Sequence, residues 1–334
     1  MAEIVLGIGT SHGPMLVTPP EQWGQRVGFD RANRAHHYRG RTYTFDDLVA
    51  LGRERHFERE ITQEVWNRRH AACRAAIDRL AEVFAEARPD AAIIVGNDQM
   101  EMFDEATVPA FGVYWGETIE NRMGEEERRA NEQPGIAVAQ AGRIPPEGAT
   151  YPGLPELGRH IIRSLMADAF DVTALKGLRP GRSAIPHAYG FVYRQIMRDK
   201  VVPNVPIAVN TFYPPNQPTV GRCYAFGKSL LKAIRSWKSE ARIVLIASGG
   251  LSHFVIDEEV DRLVLDALRR RSIEKVAELG EAIFQAGTSE IKNWVPVAGA
   301  MADLGYEPTI VDYVPCYRSE AGTGNAMGFV YWRP

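Results

Sequence analysis

The chain has 334 residues, 45% hydrophobic and 24% charged, which supplies enough apolar side chains for a large core and is unlike a disordered or fibrous chain. Its net charge of −3 leaves no basic excess for nucleic acid or an anionic membrane surface, so small molecules or other subunits are the expected partners. Cys73, Cys223 and Cys316 are far apart and in no Cys-x-x-Cys pairing, and no apolar run nears the ~20 residues of a membrane span. With no charged-then-apolar leader, a reducing, cytoplasmic protein is expected.

Residues 4–8 read as a buried strand that runs through Gly9-Thr10-Ser11 and delivers His12 into a Gly13-Pro14 turn. Residues 16–49 are irregular, aromatic and charged, with Asp46 a possible cap for a helix from Asp47. Thr62 starts a long helical pattern at Val65, Ala72, Ala76, Leu80, Val83 and Phe84, which Pro89 ends. Residues 91–96 are a continuous apolar run, as in a strand buried on both faces, and exit into Asn97-Asp98-Gln99. Further strands are expected near 108–115, 171–175, 206–210, 243–247, 309–313 and 327–331. Helices are expected near 157–169, 191–197, 222–237, 257–271, 273–284 and 290–302, and residues 121–133 as an exposed helix or loop. The alternation predicts one α/β domain, its mostly parallel or mixed sheet flanked by helices, with a helical insertion at about 16–88.

Ligands gather outside the carboxyl ends of parallel strands, so His12, Asp98-Gln99 and His253 are expected to converge on one sheet edge. Glu290, at a helix start after Gly287-Thr288-Ser289, sits where the first turn favours a carboxylate. Two imidazoles and a carboxylate with open positions suit non-haem iron(II). Eight histidines and 42 acids offer many such triples, so residue types alone do not select this one.

The order of Gly9-Thr10-Ser11-His12-Gly13-Pro14, Gly96-Asn97-Asp98-Gln99, Asn210 with Tyr213-Pro214-Pro215, Arg222-Cys223-Tyr224 with Gly227, Gly249-Gly250-Leu251-Ser252-His253, and Glu290 with Trp294 and Gly299-Ala300 resembles the class III extradiol ring-cleaving dioxygenases, of the protocatechuate 4,5-dioxygenase catalytic-subunit type. The resemblance implies an Fe(II) enzyme that opens a catecholic or hydroxylated (hetero)aromatic acid with O2. It makes His12 and Glu290 similar to metal ligands and His253 similar to the acid/base histidine, and it implies a homodimer or larger assembly. Two positions depart from the family. Gln99 stands where the second ligand histidine follows Asn-Asp, and Gly181 where an Asp-His-Gly turn precedes a Pro, although His187 follows Pro186 nearby.

An amide oxygen binds divalent ions less well than imidazole, so Zn or Mn in place of iron, a hydrolase or lyase activity, or a non-oxygenase binding protein are the alternatives that Gln99 opens. His56, or Glu101 through oxygen, are the alternative ligands. His187 is a candidate substrate donor, and Arg182, Tyr189 and Tyr213 are candidates for a substrate carboxylate. In the resembling type a small helical subunit covers the active site; residues 16–88 are expected to act as a covalent lid.

Overall fold

Aliphatic runs that carry charge only at their tips build the centre of the molecule. In a computed structural model describing residues 2–130 and 137–334, one sheet joins β1 (Glu3–Thr10), β2 (Ala91–Gly96), β3 (Phe111–Tyr114), β4 (Thr173–Leu175), β5 (Asn204–Val209), β6 (Arg242–Ser248), β7 (His253–Val255), β8 (Glu307–Tyr317) and β9 (Thr323–Arg333). Across the sheet the order is β7-β9-β1-β6-β2-β5-β3-β4, with β8 on the other side of β9. Strands β1, β6, β2 and β5 are parallel, whereas β9 lies antiparallel to β1 and β3 antiparallel to β5. The sheet is therefore mixed, and its four parallel strands end on one edge.

Alternate residues of these strands feed two cores. Ala92, Ile94, Val244 and Ile246 face α1 (Gln63–Ala87). Ile93, Val95, Leu245 and Ala247 face α2 (Pro155–Ala167), α4 (Val220–Ser236), α5 (Glu258–Arg269) and α6 (Ile291–Leu304); the short α3 (His187–Phe191) joins the α1 side. Helix α1 follows its pattern: Thr62 accepts from the Val65 amide, the apolar positions from Cys73 to Phe84 are buried, and the chain turns left-handed at Arg88 before Pro89. Among the described residues no helix is long and apolar enough to cross a membrane.

Between β1 and α1 the chain is less helical than expected. Strands His36–Tyr38 and Arg41–Tyr43 form a hairpin, because Arg39 and Gly40 both take positive φ and make the tight turn whose twist matches paired strands. An Arg-Gly turn is a weaker signal than Asn-Gly. The next helix starts at Phe45, two residues earlier than a cap at Asp46 suggested: Thr44 and Asp47 bond each other's backbone amides in a capping box. Residues 273–284 hold only a 3-10 turn, Ile273–Leu279, and residues 191–197 continue α3 as a π-helical turn, Val192–Ile196. Of the segment 121–133, Glu125–Ala130 is helical, and the part from residue 131 lies outside the described residues.

The segment after His12 is pinned over the sheet edge by Trp23, whose indole N–H donates to the carbonyls of Met15 and Thr18 at 3.1 Å each. Buried Asp30 then grips Arg318 with both oxygens at 2.7 Å and accepts from the Thr323 hydroxyl at 2.6 Å. Removing one partner of such a pair strands the other charge, so Asp30→Ala is expected to destabilise the fold by about 3–5 kcal/mol, read from urea unfolding.

Candidate metal centre

Three parallel strands deliver the site. Beyond β1 comes His12, beyond β2 come Asn97 and Gln99, and β6 ends in Ser248 with Gly250 after it. Glu290 sits at the start of α6 and His187 at the start of α3, while β7, an unanticipated strand paired to β9, opens with His253. Glu290 Oε2 lies 3.1 Å from His12 Nε2, which lies 3.1 Å from His187 Nε2, and His253 Nε2 is 3.4 Å from Glu290 Oε1.

Hydrogen bonds set which nitrogen of each ring is bare. The Ser248 hydroxyl spends its only hydrogen on the Ala188 carbonyl at 2.6 Å, so it accepts from His12 Nδ1–H at 3.0 Å. His253 Nδ1–H donates to the Leu251 carbonyl at 3.0 Å, and His187 Nδ1–H to Glu101 at 2.5 Å. In the neutral rings the Nε2 lone pairs of His12 and His253 therefore face the Glu290 carboxylate, and that of His187 faces His12. A convergence of lone pairs and negative charge with no hydrogen between them calls for a cation.

The donor set fits a divalent metal ion. Ligands about 2.1 Å from a metal and at right angles lie ~3.0 Å apart, and the ligating atoms of His12, His187 and Glu290 all lie within 4.8 Å of one another. The outer nitrogens rest on carbonyl, hydroxyl and carboxylate acceptors, as metal-binding histidines do.

Glu290 is almost fully buried, yet its carboxyl is held well below the usual range: burial opposes ionisation, but His253 and His12 outweigh it. Its oxygens are aimed by the Asn97 amide at 3.0 Å, the Gly250 N–H at 3.0 Å and the Gln99 amide at 3.3 Å. Burial lowers the pKa of His12, the effect of Glu290 notwithstanding. His253 and His187 are also buried against charging, but Glu290 and Glu101 respectively raise them on balance. Glu101 is pulled down to about 2, the cost of its burial exceeded by His187 and by Arg143, with which it is paired. Asp98 shapes this arm by accepting from the amides of Glu101, Met102 and Phe103 at 2.7 to 3.2 Å.

His253 is held by two glycines. A methyl on Gly250 would stand 2.5 Å from its Nδ1, and one on Gly287 would stand 2.4 Å from its carbonyl oxygen and 2.5 Å from Cδ2. Gly287→Ala must therefore push the ring aside. Misplacing a reacting group by about 1 Å costs ~10²-fold, so kcat is expected to fall about that far while bound metal is retained, as steady-state kinetics and elemental analysis would read.

A cavity of about 280 Å³ opens on His12, Gln99, His187, His253 and Glu290, between apolar walls that include Pro14, Val17, Phe191 and Met327. Of the residues expected there, Arg182 lines it, with one guanidinium N–H on the Met100 carbonyl at 2.7 Å. Tyr189 is wholly buried beneath it and Tyr213 is half-buried outside its lining. His56 is exposed, bonded to Glu58 at 3.0 Å, and far from the cluster's lining. Gln99 lines the cavity and donates its amide N–H to Glu290 at 3.3 Å, and Glu101, also in the lining, bonds His187 at 2.5 Å.

The sequence reading passed over Ser248, Arg143 and Asn97. Ser248 ends an apolar strand and Asn97 directly follows one, a position that could have marked both. Nothing local marks Arg143.

Over 118 residues the chain is 32% identical to gallate dioxygenase of Pseudomonas putida, a stretch that covers 34% of this chain and 32% of that enzyme, so the match spans about a third of the relative's length. An uncharacterized protein of Escherichia coli K12 with a known crystal structure aligns over 98% of this chain and 99% of its own, at 14% identity and a TM-score of 0.47. The sequence pattern of the catalytic LigB subunit of aromatic ring-opening dioxygenase matches residues 60–321, a range that holds His187, His253 and Glu290 and begins after His12. The chain belongs to the family of catalytic LigB subunits of aromatic ring-opening dioxygenases.

Proposed function

We propose that this protein is an Fe(II)-dependent extradiol dioxygenase that opens the ring of a catecholic or hydroxylated aromatic acid with O2. The observation that supports the reading is the cluster of His12, His187 and the buried Glu290 carboxylate, their ligating atoms within 4.8 Å of one another, with His253 Nε2 3.4 Å from Glu290. In this reading His12, His187 and Glu290 hold the metal, and His187 takes the nitrogen position expected of Gln99. Gln99 and Asn97 aim Glu290. Bound iron(II) would supply the one-electron chemistry that lets O2 react with the ring.

The remaining work belongs to the side chains. His253 takes a hydroxyl proton from the substrate on Nε2, and Glu290 at 3.4 Å stabilises the imidazolium that results. Its Nδ1–H on Leu251 keeps the other nitrogen turned inward. An apolar void of ~150 Å³ takes a benzene ring, so a cavity of 280 Å³ suits one ring with substituents. Val17 and Arg26 form part of its wall, which supports residues 16–88 as a covalent lid. The lid reading fails if a chain lacking residues 20–80 folds and turns over substrate normally.

Anaerobically purified protein is expected to carry about one iron per chain and to consume O2 with catecholic acids, giving a yellow ring-opened product. Zinc or manganese with no O2 uptake on any catechol would overturn the assignment in favour of a hydrolytic or lyase reaction at the same site.

A further inference from the structure

Four arginines line the cavity, and three are matched by protein partners. Arg143 is paired with Glu101, Arg182 donates to the Met100 carbonyl and lies in the field of Glu127, and Arg318 is gripped by Asp30. Arg26, at the end of the 3-10 turn Pro20–Arg26, has no hydrogen bond or ion pair among the described residues. It is half-buried, and that burial together with the charge of Arg318 pushes it down to about 10, despite Asp30 nearby. Two guanidinium groups thus share one carboxylate, which leaves one positive charge uncompensated in a cavity wall. Arg318 in turn is close enough to His253 to oppose its protonation, so this charge lies on the His253 flank of the centre.

A half-buried cation with no partner among the described residues keeps its fork available to an anion, and the cavity is where one could enter. We propose that Arg26, backed by Arg318, is the anion subsite of the cavity and holds the carboxylate of an aromatic acid while the ring faces the histidines. The inference deepens the dioxygenase reading by assigning the acid group of its substrate to a residue outside the range matched by the family. Guanidinium suits this task because its planar fork meets both carboxylate oxygens.

The test uses unreactive probes on metal-free full-length protein, so it does not depend on turnover. By calorimetry, wild type is expected to bind 4-hydroxybenzoate at least tenfold more tightly than phenol. Arg26→Gln should lose at least tenfold for 4-hydroxybenzoate with phenol changed by less than twofold, and should unfold at a temperature equal to or above that of wild type. If the glutamine variant does not fold, Arg26→Lys decides the matter: it keeps the charge, loses the fork, and should bind the acid several-fold more weakly. Equal affinity of wild type for the two probes, or an acid preference unchanged in the variants, overturns the subsite. Failure of the dioxygenase reading would be a different result, the acid preference persisting in a protein that consumes no O2 with any catechol.

Discussion

Glu290→Gln is expected to empty the metal centre. Losing even an outer partner of a metal ligand typically costs 10–100-fold in affinity, so replacing the carboxylate itself should weaken binding by at least about 100-fold and leave ring opening at background. Glutamine has nearly the same size, but its NH2 can reach a bare imidazole nitrogen only where it also meets a hydrogen-bond donor. Placed at Oε2 it meets the Gly250 N–H, and at Oε1 it meets the amide donors of Asn97 and Gln99. Either way a buried donor faces a donor, which adds about 1–3 kcal/mol of destabilisation. Elemental analysis after anaerobic gel filtration, with thermal unfolding alongside, measures both. Full metal occupancy in the folded variant would remove Glu290 from the ligand set.

The second large effect separates two histidines that lie on either side of Glu290. His187→Gln should lose metal, because its Nε2 stands beside His12 Nε2 and its Nδ1–H is tied back to Glu101. His253→Gln should keep metal and lose ~10²- to 10⁴-fold in kcat, the range expected when a positioned general base is removed. The readout is metal content set against kcat for each variant. Metal loss in His253→Gln with retention in His187→Gln would exchange the two assignments, and would return the nitrogen ligand to the β7 side of the cluster.

Much of the frame was legible because it depends on local pattern. Runs such as Ala91-Ala92-Ile93-Ile94-Val95 have only one low-energy home, a strand covered on both faces, and all six residues of β2 are buried. His12 and His253 were visible as polar residues that follow apolar strands and glycines, and Glu290 as an acid at a helix start. Their neighbours were not. His187 reaches His12 across 175 positions of sequence, and its Nδ1 is oriented by Glu101, which a reading of residue types had offered as a metal ligand.

Spacing put Gln99 at the strand exit, and only the fold shows what its amide meets there. The residue occupies the strand exit, yet its amide is drawn to the nearest strong acceptor, the Glu290 carboxylate. Tyr189 is wholly buried and Tyr213 half-buried, and neither is in the cavity lining, a difference that no local motif marks. Arg26 lies in an irregular stretch without periodicity, and the role proposed for it rests on its place in the cavity wall and on its lack of a partner among the described residues once Asp30 has been taken by Arg318.

The sequence by itself determined the α/β alternation, the strands that end on a common edge and three of the residues gathered there, because burial and helix capping act over a few neighbouring positions. Tertiary structure decided the hydrogen-bond partners of the imidazoles, the approach of His187 to His12 and the place of Arg26 in the cavity wall. Those properties belong to distances of about 3 Å between residues far apart in the chain, and hydrogen bonding and Coulomb energy depend on that distance, whatever the separation in sequence.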